Sequence, residues 1–477
     1  MMQMDNQELP KGWEIKKLGA VAISEKGKKP KKQSDTKNDI FTIPYIDIEA
    51  FEKGIIKSYT DGEKCVFCDE NDFLMVWDGA RSGLVGKGVK GAVGSTLVRI
   101  SLPNMDNHFA YYFLQSKYAE LNTRAKGSGT PHVNPDLLWN YDLPIPPLPQ
   151  QTAIVNKIES LFSEIDAGIE SLKVAQNKLA QYRQSLLKNA FNGELTKQWR
   201  EENADKLPSA EELLQQIQQA RETHYQAKVD EWKSAVQIWE ENGKKGKKPS
   251  KPIKLSKISL NRKKDIPRNW LSLNAEILCD FITKGTTPNK TNLISEKGEI
   301  PFIKVYNLTK TGVLDFSISP TFVTSEIHNN FLYRSKVYPN DVLMNIVGPP
   351  LGKVSVVPND YPEWNINQAI AIFRSKFYNS SFLANFLLAE STVKIISSQA
   401  KTTAGQHNLT LEICRKLELP IMSKEEQNQI VTILEKQLTQ ADHFAQEISK
   451  QLKLAELLKQ SILKAAFSGK LLQGNHE

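Results

Sequence analysis

The chain states one pattern twice, and this duplication constrains its fold more than any other feature. Residues 143–195 read LPIPPLPQQTAIVNKIESLFSEID and then IESLKVAQNKLAQYRQSLLKNAFNGEL. Residues 419–471 read LPIMSKEEQNQIVTILEKQLTQAD and then ISKQLKLAELLKQSILKAAFSGKL. A constant offset of 276 residues pairs Leu143 with Leu419, Gln151 with Gln427 and Asp166 with Asp442. A repeat this long is a duplicated domain, not the unit of a solenoid. Upstream the copies still match, but the offset drifts. LPKGW ends at Trp13 and IPRNW at Trp270; IPYIDI (43–48) answers IPFIKV (300–305); KGSGTPHVNPDLL (126–138) answers KTTAGQHNLTLEI (401–413). The order is variable module, helix, variable module, helix. A fixed scaffold carrying two divergent loop-rich modules is what a two-part reader needs.

At 477 residues the chain has room for two to four domains. Five segments are expected: a first module at 1–150, a helical spacer at 151–195, a helical extension with a basic linker at 196–265, a second module at 266–421 and a second helical spacer at 422–477. Module one alternates short β-like runs (FTIPYIDI, CVFC, FLMVW, STLVRI) with Gly, Pro and Asn turns, then gives the helical stretch HFAYYFLQSKYAELNTRA. Module two keeps that order and ends on the helix SFLANFLLAESTVKIISSQA. The pattern is α+β.

The spacers carry heptads. Ile158, Ile165, Leu172, Leu179 and Leu186 recur every seven residues, with Ile154, Leu161, Gly168, Ala175 and Tyr182 as the alternate row. The second copy offers Leu434, Ala441, Ile448, Ala455 and Ile462, with Ile430, Gln437, Phe444, Gln451 and Leu458 alternating. The arrangement expected is an antiparallel coiled coil between the two helices, with pseudo-twofold symmetry and the modules at opposite ends of a rigid spacer. The alternative is two unrelated amphipathic helices, each docked on its own module. Gly193 and Gly469 are placed to end the helices. Ser209 and Glu212 form a capping box that opens a further helix to about residue 241.

Composition excludes several classes. No 18-residue apolar run offers a membrane span, and the polar start MMQMDNQELPKGW has no apolar signal core. Four cysteines without framework spacing fit a reducing cytoplasm. Net charge is +8. Yet residues 9–150 carry 19 basic and 17 acidic side chains, and 266–420 carry 15 and 12. Much of the excess lies in 244–264, with ten Lys or Arg and no acid. That run reads either as a solvated linker or as a strap that contacts phosphates.

Catalytic signatures fail on inspection. GPPLGKV (348–354) is one residue short of a phosphate loop and lacks the following Ser or Thr, and GLVGKG (83–88) fails similarly. There is no G-x-S-x-G elbow. Cys65 and Cys68 form a lone C-x-x-C, and no His and acid spacing proposes a metal site. Two pairs of loops stand out instead. Asp78–Gly83 corresponds to Ile346–Pro350, and Gly127–Asn134 to Thr402–Leu409. They are polar, Gly-rich and flanked by Lys or Arg. Arg can read guanine, Asn or Gln can read adenine, and Lys can meet phosphates. The alternative reading is ordinary turns with Gly for tight geometry.

LP-x-P-PLPQQ with its heptad helix and AFNGELTKQWR resembles the conserved regions of type I restriction-modification specificity subunits. NDVLMNIVGPPLGKVSVV with WNINQAIAIFR resembles the core of their target recognition domains. The resemblance covers nearly the whole chain, twice, in order. It implies a non-catalytic subunit in which each recognition domain reads one half of an asymmetric, bipartite site on double-stranded DNA. It implies a coiled coil that sets the gap and docks two methyltransferase subunits, with two restriction subunits joining in the nuclease complex. No cofactor is expected in this chain. S-adenosylmethionine belongs to the methyltransferase partner, which methylates a flipped adenine, and ATP and magnesium to the restriction partner. Carried over, the half-site contacts fall on Asp78, Arg81, Ser82, Lys126, Ser128, Thr130, His132 and Asn134 in module one. In module two they fall on Asn345, Lys353, Lys401, Thr402, Gln406, His407 and Asn408. The long 196–265 connector with its extra helix departs from the family pattern. A scaffold that bridges proteins without reading DNA, and a fused methyltransferase-nuclease, are the competing readings; missing cofactor motifs count against the second.

Overall fold

The structure is a computed structural model. It describes residues 9–473 apart from 128, 253, 256, 257, 259–264, 349, 404 and 405, and for 401–403, 406 and 407 the backbone alone. The chain divides into two compact units, Met1–Gln176 with Gln446–Glu477, and Asn177–Ala445. The long helices Leu148–Phe191 and Lys424–Phe467 each begin in one unit and end in the other. Each unit therefore holds one module and one end of each helix.

In the first unit, a ribbon ties the ends of the module. Glu14–Lys17 pairs antiparallel with Asp142–Ile145, and Lys17 bonds Asp142 at 2.7 Å. A four-stranded antiparallel sheet follows the order Ile23–Lys26, Leu97–Ser101, Phe73–Val76, Val85–Lys87. The strand FLMV is buried throughout, which is why it reads as a continuous apolar run instead of alternating. A second sheet contains one parallel pair, Ile43–Ile46 with Gly91–Val93. The helix Asn107–Thr123 starts at Asp106, whose carboxylate accepts the His108 N–H, and buries Phe109, Phe113, Leu114 and Leu121.

The second unit repeats this plan. The ribbon is Leu271–Asn274 with Glu418–Ile421, the core sheet contains Phe281–Lys284, Ile370–Arg374, Val342–Asn345 and Val354–Val356, with Gly312–Val313 added parallel at its edge, and the second sheet's parallel pair is Ile300–Ile303 with Trp364–Ile366. One expected helix is two. Ser380–Leu388 and Glu390–Gln399 are separated at Ala389, whose ψ of 134° is extended. The Gln184 side-chain oxygen accepts the Glu390 N–H at 3.0 Å and so caps the new helix start.

Both long helices are 44 residues, and they run antiparallel. In the first unit Ile154, Val155, Ile158 and Phe162 share a core with Ile462, Leu463, Ala466 and Phe467. In the second, Leu186, Leu187 and Ala190 share one with Ile430, Val431 and Leu434. The end of one helix thus meets the start of the other in each unit. The pairs Lys459–Asp166 and Arg183–Asp442 are related by the sequence repeat, one in each unit.

The row Ile158, Ile165, Leu172, Leu179, Leu186 and its counterpart Leu434, Ile448, Ile462 lies on covered faces, and Leu161 is partly covered. Past Ile154 and Ile430, which are buried near the helix starts, the alternate row is displaced by one residue from the expected one. Phe162, Ile169 and Ala190, with Leu438, Ala445, Leu452 and Ala466, occupy it. Phe444 and Leu458 do not lie on the seam: they are 61% and 51% exposed. Gly168, Ala175 and Tyr182 are likewise exposed.

The helix ends are exchanged between copies. Phe467, from the second copy, packs edge-on against Phe109 and Phe113 of module one. Phe191, from the first, packs the same way against Phe382 and Phe386 of module two. Behind each phenylalanine the chain turns at a left-handed glycine. Gly469 (φ +74°) lies under Pro10 and Gly193 (φ +86°) under Pro267, each too close to its proline for a Cβ.

The connector joins the second unit. The predicted capping box is present at Ser209 and Glu212, and the helix runs Ala210–Glu241, sinking Leu213 and Ile217 into the core. Nearby, the fully buried Glu426 carboxylate accepts from Arg200 (2.5 Å), Thr196 Oγ1 (2.9 Å) and Trp270 Nε1 (2.9 Å). Its counterpart in the repeat is Gln150, which accepts from Trp13 Nε1 at 3.1 Å on the surface.

Candidate nucleic-acid interface

In each module the chain brings the two candidate loops side by side. In module one Lys126 and His132 pair across a hairpin, and His132 also bridges to Asp78. The Gly79 N–H donates to Pro131 O at 2.7 Å, and the Val133 N–H to Trp77 O at 2.9 Å. In module two Lys401–Thr403 pairs with Gln406–Asn408 as the equivalent hairpin, Val347 bridges to Asn408, and the Leu409 N–H donates to Ile346 O at 2.8 Å. The same backbone bond, Val133 to Trp77 or Leu409 to Ile346, fixes both hairpins.

A third loop joins them, and the sequence reading missed it. Lys26-Gly27-Lys28-Lys29-Pro30 corresponds to Lys284-Gly285-Thr286-Thr287-Pro288. Lys26 bonds Asp78 at 2.8 Å, and Thr287 Oγ1 accepts the Gln368 N–H beside Ala369, whose carbonyl receives the Ile346 N–H. Gly27 and Gly285 sit so close to neighbouring strand carbonyls that a Cβ would collide with them. The signal was present, a K-G-x-x-P in each copy, but the drifting offset hid it. Lys28, Lys29 and Lys31 are exposed and form no ion pair among the described residues.

The candidate side chains differ in their availability. Two of them are not available to a ligand. Ser82 and Asn345 are buried. Asn345 Oδ1 accepts the Lys353 N–H at 2.8 Å and its amide donates to Pro350 O at 3.0 Å, so this polar residue closes its own loop. Three are on the surface but held by opposite charges: Asp78 by Lys26, Arg81 by Glu52, and Lys126 by Asp136. Thr130, His132 and Lys353 are at least partly exposed, while the Asn134 Oδ1 atom is buried without a hydrogen-bond partner. Ser128 lies outside the described residues, as do the side chains of Lys401, Thr402, Gln406 and His407; Asn408 is partly buried.

Three of the four cysteines are buried. Burial pushes the Cys68 thiol up to about 11 and the Cys414 thiol to about 12, and raises Cys279 as well. Among the described residues no group of three His, Cys, Asp or Glu could hold a metal ion, and no helix is long and apolar enough to cross a membrane.

Module two also contains a buried polar network with a pH signature. His328 is fully buried, its Nε2 2.9 Å from Glu363 and its Nδ1 3.0 Å from the Asn365 amide. The amide can only donate to Nδ1, so the neutral Nε2–H tautomer fits. Burial lowers the His328 pKa below its ordinary 6.5, outweighing the Glu363 hydrogen bond, and the Lys336 charge lowers it further. Burial acts to raise Glu363, but the His328 bond and the nearby Lys336 hold it below the usual carboxylate value. Both shifts stabilise the fold above the unfolded pKa and are lost on acidification. The melting temperature of the second unit is therefore expected to fall as pH drops below about 6.5. His328→Gln should be less stable at pH 7 and flatter between pH 7 and 5, measured by calorimetry. An unchanged profile in the variant would assign the acid sensitivity elsewhere.

The type I restriction modification DNA specificity domain profile matches residues 10–173 and again 267–454. The chain is similar to the type I restriction enzyme MjaVIII specificity subunit of Methanocaldococcus jannaschii, 29% identical over 41% of this chain and 49% of that one. That match spans about half of the relative's length. Similarity to the EcoBI specificity subunit of Escherichia coli is 23% and extends over 92% of this chain and 82% of that one. A solved chain, described under the structural basis of complex assembly and conformational transition of the type I R-M system, aligns with a TM-score of 0.62. The alignment covers 97% of this chain and 100% of that one at 17% identity, a likeness of fold.

Proposed function

This chain belongs to the type I restriction-modification DNA specificity family, with the domain present twice, and on that premise we propose that each module reads one half of a bipartite, asymmetric DNA site. The observation that carries the reading is the gathering of three polar loops in each module on a shared framework, with different residues at equivalent loop positions. Different loops on one framework suit two different half-sites. The long helices set the gap between the half-sites and dock methyltransferase subunits, two in a symmetric complex. Chemistry resides in those partners. The methyltransferase supplies S-adenosylmethionine for transfer to adenine, and a restriction subunit, where present, supplies ATP- and magnesium-dependent cleavage. The residues of this chain position DNA; none of them takes part in bond making.

The test is long-read sequencing of methylated adenine in cells that express the chain with its neighbouring methyltransferase. A bipartite motif that disappears on deletion of the chain supports the reading. An active methyltransferase without such a motif supports a protein-bridging scaffold instead. Within the motif, Arg81→Ala is expected to relax recognition in one half only. Each contacted base is worth about 1–3 kcal/mol, so discrimination there should fall roughly 5- to 150-fold. Equal losses in both halves would give Arg81 a structural role through its Glu52 pair.

A further inference from the structure

The connector helix Ala210–Glu241 carries two apolar stretches on one face. Leu213 and Ile217 enter the core of the second unit. The stripe then continues through Tyr225, Val229, Trp232, Val236 and Trp239, all partly covered. What covers its far end is the basic segment that follows. The Trp232 indole N–H donates to Pro249 O at 3.1 Å, and the Trp239 indole N–H to Gly246 O at 3.1 Å. Lys248 stacks over Trp239 and Lys251 over Trp232, each at 5.7 Å from the ring centre. Residues 244–251 are therefore held along the helix, with the Lys244 N–H donating to Trp239 O at 2.9 Å. Lys244, Lys245 and Lys247 remain exposed and form no ion pair among the described residues.

We propose that this clamped segment is a sequence-independent DNA contact, in which Lys244, Lys245 and Lys247 neutralise phosphates of the duplex backbone whatever bases the modules read. The inference rests on the DNA-specificity reading above. Charge points to the partner: three exposed ammonium groups with no ion pair among the described residues, in a run of ten basic residues without an acid, suit a polyanion. The clamp adds to this, because lysines on an ordered backbone lose less conformational entropy on binding than lysines on a mobile tail. Near-neutral modules that read bases would draw on such a contact for affinity.

The experiment uses the full chain in complex with its methyltransferase, with Lys244, Lys245 and Lys247 replaced together by Gln. Binding is measured from 50 to 200 mM salt, to a duplex carrying the methylated motif and to a scrambled duplex. Losing three phosphate contacts should flatten the slope of log affinity against log salt by about 2.7, so the parent's advantage shrinks about 40-fold across that range. The flattening should be equal on both duplexes, with the methylated motif in cells unchanged. Superimposed slopes with an unchanged motif would overturn this contact and leave the specificity reading intact. Loss of methyltransferase binding at unchanged slope would overturn it in favour of a protein-facing surface. Failure of the parent to direct any motif would overturn the specificity reading itself.

Discussion

Glu426→Leu is expected to destabilise the second unit by about 3–5 kcal/mol, because it strands the largely buried Arg200 guanidinium without a counter-charge. Thr196 and the Trp270 indole lose their acceptor in the same step. Denaturant unfolding read by segment-resolved hydrogen exchange would show the loss in residues 197–217 and at the start of the helix Lys424–Phe467. Gln150→Leu at the equivalent place should cost about 1 kcal/mol or less, since its single bond from Trp13 is at the surface. Replacing Arg200 and Glu426 together by leucine should recover most of the stability, because the desolvation cost of both charges disappears. A small effect from Glu426→Leu alone would mean that Arg200 swings out to water.

The second large effect crosses the repeat. Phe467→Ala should cost about 3–5 kcal/mol by emptying an aromatic site against Phe109 and Phe113. The damage should appear in module one, although Phe467 belongs to the second copy. Amides of Asn107–Thr123 should lose protection while those of Ser380–Leu388 keep it. Phe191→Ala should give the reverse, loosening Ser380–Leu388. Under the proposed function, each variant should also weaken the half-site of the module that it loosens. If Phe467→Ala instead disturbed module two, the exchange of helix ends would be wrong.

The plan of this fold was legible because duplication doubles every weak signal. Two copies of an alternating β pattern, two heptad helices and the Ser209 capping box each led to the element observed. The seam register was less legible. An apolar row has neighbours three residues away in either direction, and Ile154 and Leu161 made one direction attractive. The row actually buried includes Arg183 and Lys459, whose charges disguise it until their partners Asp442 and Asp166 are seen. The strand Glu14–Lys17 is exposed along its whole length and holds one apolar residue, Ile15, so no buried face announces it. At the candidate interface, the expectation that Asn345 contacts DNA equates polarity with an outward-facing side chain. Asn345 shows why that fails: a tight loop turns backbone groups inward, and a polar side chain is needed there to bond them.

The exchanged ends bear on how such a chain could arise. One copy alone carries a plug, Phe191, and a socket, Phe109 with Phe113. A continuous helix of 44 residues cannot bring its own end back to its own start, so plug and socket in one copy never meet. Two identical copies would each fill the other's socket, which is a closed two-fold swap. The present chain holds that swap in a single covalent thread, and this frees the two loop sets to diverge without losing each other.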